Sequence, residues 1–247
     1  MSDSQVAFSI TIDRESNKSI EITIPDKQVK LSEMVPFAHF IADQLVKTAI
    51  DRSSLPITCA KGCGVCCNQL VPLSIPELFF IVEQLRVMPP QQRFPILSRF
   101  DATEKQLMDC NLIQQLRSID QTRNDRIIAE RYFHLNLPCP FLDQQNCSIH
   151  SWRPVVCREF NALSDPKLCV DPFANKISSI SYSKRPSSIL AKLYGMVTNT
   201  APKLLPMPLL FESFEQHQMQ STITWQSTIL AQIILDIALG TNSTDSR

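Results

Sequence analysis

The chain has 247 residues, 44% of them hydrophobic, enough for a packed core and too many for wholesale disorder. Its 24 basic residues balance 24 acidic ones, and the nearest approach to a basic run, Ser183-Lys184-Arg185-Pro186, is too short to track a phosphate backbone, so nucleic-acid binding driven by bulk charge is disfavoured. Met1-Ser2-Asp3-Ser4-Gln5 lacks the basic and apolar start of a secretion signal, and the longest uncharged stretch, between Glu215 and Asp236, holds too many polar residues for a membrane span.

Taken in chain order, Val6, Phe8, Ile10 and Ile12 alternate with small or polar residues, as do Ile20, Ile22 and Ile24. This predicts two strands of a hairpin around the polar turn from Asp13 to Lys18. Met34, Phe37, Ala38, Ile41, Leu45 and Ala49 recur at helical spacing and predict a helix over 32–51, with Pro36 tolerated in its first turn and His39 close to the stripe as a packed or surface residue. Ser74-Ile75-Pro76-Glu77 reads as a capping box that opens a helix, ended by Pro89-Pro90. Residues 96–135 read as helical with a break near Ser118 to Asn124. Leu107, Met108, Leu112, Ile113 and Leu116 share one face there, and Cys110 is a packing residue. Ser187 to Val197 reads as a helix, Pro202, Pro206 and Pro208 as a break in regular structure, and Thr222 to Leu239 as a last helix terminated by Gly240. Thr241 to Arg247 reads as a polar tail.

The chemistry lies in the cysteines. Nine in a chain without an export signal read as reduced thiols in a cytoplasmic protein, where such clusters bind metal or react. Cys59, Cys63, Cys66 and Cys67 fall within nine consecutive positions. Gly62 and Gly64, two of only four glycines in the chain, flank Cys63 and predict a tight loop whose amides approach sulfur. Adjacent cysteine side chains should diverge, so Cys66 and Cys67 are not expected on one small ion. Cys139, Cys147, Cys157 and Cys169 form the second group. Pro154 suits the start of a short helix that would favour thiolate at Cys157, and Arg153 and Arg158 could offset the charge of a thiolate-bound group. His134 and His150 are candidate mixed ligands. Eight thiols in two groups of four permit one site with extra thiols, or two sites.

These residues resemble the YkgJ-type family of small bacterial cysteine-cluster proteins, a zinc- or iron-chelating domain. The likeness rests on the early run ending in Cys66-Cys67, then Cys139 with Leu142, Cys147-Ser148-Ile149, Arg153-Pro154, Cys157-Arg158-Glu159-Phe160 and Cys169, over roughly residues 58–170. Three residues separate Cys59 from Cys63 where the family has two. His150 stands where the family has tyrosine, which implies an aromatic packing role for it. Flagellin lysine methylases share a similar cysteine core.

The fold expected is mainly helical, with an N-terminal β-hairpin and an irregular cysteine-rich metal-binding core, in three parts: 1–57, 58–170 and 171–247. The function expected is a metal-binding protein holding an iron–sulfur cluster, preferred over zinc, through the eight cysteines, with a structural, sensing or redox role. A thiol redox or metal-delivery protein is a further reading. So is a protein-modifying enzyme, a methyltransferase or oxidoreductase, such as an S-adenosylmethionine-dependent lysine methylase acting on a protein partner. Cys59-x3-Cys63-x2-Cys66 has the spacing of cluster loops that bind that cofactor. Only two convincing strands precede it, which argues against a barrel-type radical enzyme.

Overall fold

The computed structural model describes residues 4–13, 18–60, 62–119 and 125–241. Positions 14–17 of the expected turn, 120–124 of the expected helix break, 242–247 of the polar tail and 1–3 of the N-terminal reading lie outside them.

Strands β1 (Gln5–Asp13) and β2 (Lys18–Pro25) pair antiparallel, with Val6 opposite Ile24, Phe8 opposite Ile22 and Ile10 opposite Ile20. The two-residue alternation turns Ile10 and Ile24 into the core. A two-stranded hairpin is marginal in water. This one packs on two helices, α1 (Val35–Asp51) and the last helix of the chain. Between hairpin and α1 lie β3 (Gln28–Lys30) and a 3-10 turn, Leu31–Met34. Pro36 occupies the first turn of α1, where no intrahelical bond is lost.

β4 (Pro72–Ser74) leads into α2 (Ile75–Val87) through the expected capping box: Ser74 Oγ accepts from the Glu77 amide, and a Glu77 oxygen accepts from the Ser74 amide at 3.0 Å. Such a cap contributes about 1 kcal/mol. The helical stretch expected over 96–135 is three helices: α3 (Pro90–Asp109), α4 (Ile113–Arg117) and α5 (Asp125–His134). Pro90 both follows α2 and opens α3, because proline suits a first helical position. Asn111 has φ +54°, a left-handed conformation that stops α3 before the expected break. Met108 is exposed, off the face shared by Leu107, Leu112, Ile113 and Leu116.

Beyond the second cysteine group come α7 (Ser188–Thr198), β7 (Leu204–Pro206), α8 (Leu210–His217), β8 (Thr224–Gln226) and α9 (Ser227–Leu239). The short β5, β6 and α6 lie within that group and are described with the site. The proline-rich crossing is more regular than expected: β7 pairs antiparallel with β4, and Pro206 is tolerated because the pair has a free edge. α9 starts at Ser227 rather than Thr222, because Thr224–Gln226 pair with β3. Gly240, φ +72°, terminates α9 as expected. Among the described residues no helix is long and apolar enough to cross a membrane.

Ala38 and Ile41 of α1, Leu78 of α2, Leu193 of α7 and Leu230 and Ile234 of α9 are fully buried together. Each large apolar side chain so buried contributes about 1.5–3 kcal/mol before the entropy of ordering it. A smaller cluster of Leu107, Leu112, Leu116, Tyr132 and Leu137 joins α3, α4 and α5. The molecule is thus mainly helical with an N-terminal antiparallel strand pair. Cys139, Cys147 and Cys157 pack against the margin of the larger core.

Candidate metal centre

The first cysteine segment is anchored at its start. The Thr58 amide donates to Ala162 O at 2.8 Å and its hydroxyl to Ser164 O at 2.7 Å, while the Ala162 amide donates to Cys59 Sγ at 3.3 Å. Gly62 takes φ +84°, a conformation that strains other residues. A β-carbon on Gly64 would lie 2.9 Å from Leu142 Cδ1 and from Gln145 Oε1, so glycine lets the second segment lie against the loop. A 3-10 turn, Val65–Asn68, then carries Cys66 and Cys67.

The second segment is tied directly to the first, the Cys139 amide donating to Cys67 O at 2.7 Å. Arg99 Nε donates to Pro140 O at 2.6 Å. β5 (Leu142–Asp143) and β6 (Asn146–Cys147) form a tight hairpin whose two turn residues, Gln144 and Gln145, both have positive φ. The main chain at Phe141 and at Ile149, two residues further on, favours the thiolates of Cys139 and Cys147 against the larger effect of burial. Pro154 caps α6 (Val155–Glu159), which carries Cys157. Glu77, having capped α2 with one oxygen, accepts from the Val155 amide with the other at 2.7 Å and so docks α6 on α2.

Together these elements place Cys59, Cys63, Cys66, Cys67, Cys139, Cys147 and Cys157 around one cavity of about 600 Å³, with Arg153, His150 and Asn161 on its wall. Cys169 lies off this wall, buried in a 3-10 turn (Pro166–Val170) packed against Val65–Asn68. Cys110 is elsewhere, its thiol donating to Leu107 O at 3.6 Å, as a packing residue does. His39 is buried beside Phe80, its Nε2 3.8 Å from Glu77 Oε1. His134 is exposed near Glu130 and does not reach the cavity. His150 is exposed at the cavity wall.

One expectation about charge changes in the folded chain. Burial pushes the Cys157 thiol well above its ordinary value of 9.0, and Cys139, Cys66 and Cys147 add to the shift against Arg153. A single turn of helix does not outweigh that desolvation. The adjacent thiols act on each other: Cys67 pulls Cys66 down to about 7 while Cys67 itself rises. Burial also drives Cys139 up to about 12.

Arg153 lowers Cys147, Cys157 and Cys66. Arg158 turns elsewhere, donating to Asp43 at 2.8 Å, Ser151 O at 2.6 Å and Arg153 O at 2.8 Å, and thereby fixes the segment that bears Arg153. Sequence reasoning missed Glu77, Arg99 and Asp43 as supports. The capping box announced one oxygen of Glu77, and nothing local announces the other.

The donor chemistry fits zinc or iron: thiols, a main-chain amide that donates to Cys59 sulfur, and the guanidiniums of Arg153 and Arg99 acting on the thiols. The thiols ring the cavity without converging, and among the described residues no group of three or more His, Cys, Asp or Glu side chains is placed to hold a single ion. No curated protein matches the chain, and no solved structure does. The CxxCxxCC family, described as "Putative zinc- or iron-chelating domain", matches residues 58–180, ten residues past the expected boundary. Through residues 58–180, which hold both cysteine groups and the cavity between them, the chain belongs to this zinc- or iron-chelating cysteine family.

Proposed function

We propose that the protein binds metal through Cys59, Cys63, Cys66, Cys67, Cys139, Cys147, Cys157 and Cys169, as an iron–sulfur cluster in preference to zinc, in a structural, sensing or redox role. The observation that carries this reading is the meeting of two distant cysteine segments around one cavity, joined main chain to main chain at Cys67 and Cys139. A lone four-coordinate zinc needs four sulfurs about 2.3 Å from one point. Thiols spread around a cavity of about 600 Å³ leave room for a group of several metal atoms. Arg153 offsets part of the negative charge left by such ligation, and thiolate ligands suit a reducing, cytoplasmic setting.

Elemental analysis of protein purified without oxygen tests the reading. Iron with equal acid-labile sulfide and a broad visible absorption is the expected result. Stoichiometric zinc without colour would leave metal binding and remove the cluster. Folded protein with neither metal, which also takes up neither, would end the proposal.

A further inference from the structure

We propose that the groove between α2, α3 and α8 is a docking site for a protein partner, filled by an amphipathic helix that brings large apolar side chains to its walls and acidic residues to its rim. This goes beyond metal binding and does not depend on it.

The groove holds about 460 Å³. Leu85 near the end of α2, Leu97 on α3, and Phe211 and Phe214 on α8 make its walls. Those walls are set before anything binds. Phe214 packs T-shaped against the buried Phe79, and Phe211 against the buried Phe100, with ring centroids 6.1 and 5.1 Å apart. A preformed groove spares a partner the cost of ordering it. Exposed apolar side chains surround it. Phe94 on the rim is 61% exposed, and Val87 and Met219, next in sequence to the lining residues Arg86 and Gln218, are 78% and 79% exposed. Apolar residues exposed singly are ordinary, but three beside one apolar groove make a patch of the kind that binds protein.

Charge selects the partner. The guanidinium of Arg86 lies over the Phe214 ring, 4.8 Å from its centre, and that of Arg93 over the Phe94 ring at 5.9 Å. Arg93 Nη1 donates to Arg86 O at 3.0 Å, which holds it at the carbonyl end of α2. Its Nε and Nη2, and every donor of Arg86, have no hydrogen-bond partner among the described residues. Glu215, the acidic residue on the lining, makes no ion pair with either arginine. Two guanidiniums against one carboxylate leave the rim basic, and a guanidinium with donors to spare takes a carboxylate in a forked pair. Aromatic rings, methionine and arginine are also the residues that protein interfaces favour.

The same features argue against other occupants. The walls are helices, whose main-chain groups bond within themselves, so an extended strand finds no edge to pair with. Side chains three and four apart on a helix, by contrast, can fill an apolar groove without main-chain bonds. A small molecule held between the walls would leave Val87 and Met219 uncovered. Two arginines are too few for the basic cluster that an anionic membrane surface holds.

A display library of random peptides about sixteen residues long, enough for four helical turns, would be selected on the full-length protein. The peptides retained are expected to carry large apolar residues three or four apart with Asp or Glu beside them. A synthetic copy should turn helical on binding, as followed by circular dichroism. Phe94→Asp should weaken its binding about tenfold or more. Arg86→Glu should weaken it too, and changing the peptide's acidic residues to Lys should restore binding to that variant. Phe94 and Arg86 are exposed, so both variants should melt with the wild type; if Phe94→Asp does not, Val87→Asp takes its place. No peptide retained would overturn the proposal. So would peptides that bind both variants as well as the wild type, or peptides that are basic or stay extended when bound. Light scattering of the free chain covers one more outcome: a dimer that Phe94→Asp splits would mean that a second copy covers this face, and would overturn the proposal as well. Protein that holds no metal would end the metal-binding reading and leave each of these outcomes as it is.

Discussion

At the scale of single residues, the cavity depends on groups that are not ligands. Gly64 is one, since any side chain there meets Leu142 and Gln145 at 2.9 Å. Gly64→Ala should cost about 1 kcal/mol, the low end of overpacking because both contacts are side-chain ends that can swing, and lower the metal retained. Urea unfolding and metal analysis of the same sample would check both. Glu77 is another. Its burial disfavours the charged form, but His39, Ser74 and the Val155 amide outweigh that and hold its carboxyl below the ordinary 4.5. A carboxyl depressed in the folded state contributes stability above the unfolded value, and that contribution fades as pH falls through the folded one. Glu77→Gln should therefore cost about 1–3 kcal/mol at neutral pH, and the gap to wild type should narrow below about pH 4.5. Unfolding both proteins across pH 3–7 measures it. A gap that stays constant in acid would mean that the carboxylate charge is not what counts.

At the scale of elements, α6 shows how a segment too short to be stable alone is held. Glu77 takes its first amide, and Arg158 ties its last turn to Asp43 on α1 and to the carbonyls of Ser151 and Arg153. Arg158→Ala should lower stability by about 1–3 kcal/mol, with Arg158→Lys recovering little, because an ammonium cannot span three acceptors as a planar fork does. Thermal unfolding of the two variants would show it.

The sequence carried the hairpin, α1, the α2 cap and the Gly240 stop, because each is written in neighbouring residues. It also carried the meeting of seven of the eight thiols at one cavity, Cys169 apart, since spacing and glycines mark a tight cysteine loop. The split of α3 from α4 hangs on one left-handed asparagine, which a helical pattern hides. β7 and β8 are three residues each and exist through distant partners. Arg158 meets an aspartate 115 positions away, so no local pattern could have named its role.

At the scale of the molecule, the thiol cavity sits at the margin of a helical core that stands on its own apolar contacts. Removing metal should therefore loosen the irregular segments and spare the bundle. Amide exchange of chelated against loaded protein is expected to rise across 59–69 and 139–170, and to stay low in α1, α2, α7 and α9.

The β3–β8 pairing has a further consequence. Ser227 bonds both to the Lys27 amide, 200 positions earlier, and to Pro25 O, so a seam near one end of the sequence waits for residues near the other. During synthesis both thiol loops leave the ribosome before Thr224, while that seam is still unmade. Closing it means bringing together the ends of a very long loop, whose entropy no local helix can offset. The closing of residues 28–30 onto 224–226 thus rests on three-residue strands that touch no sulfur.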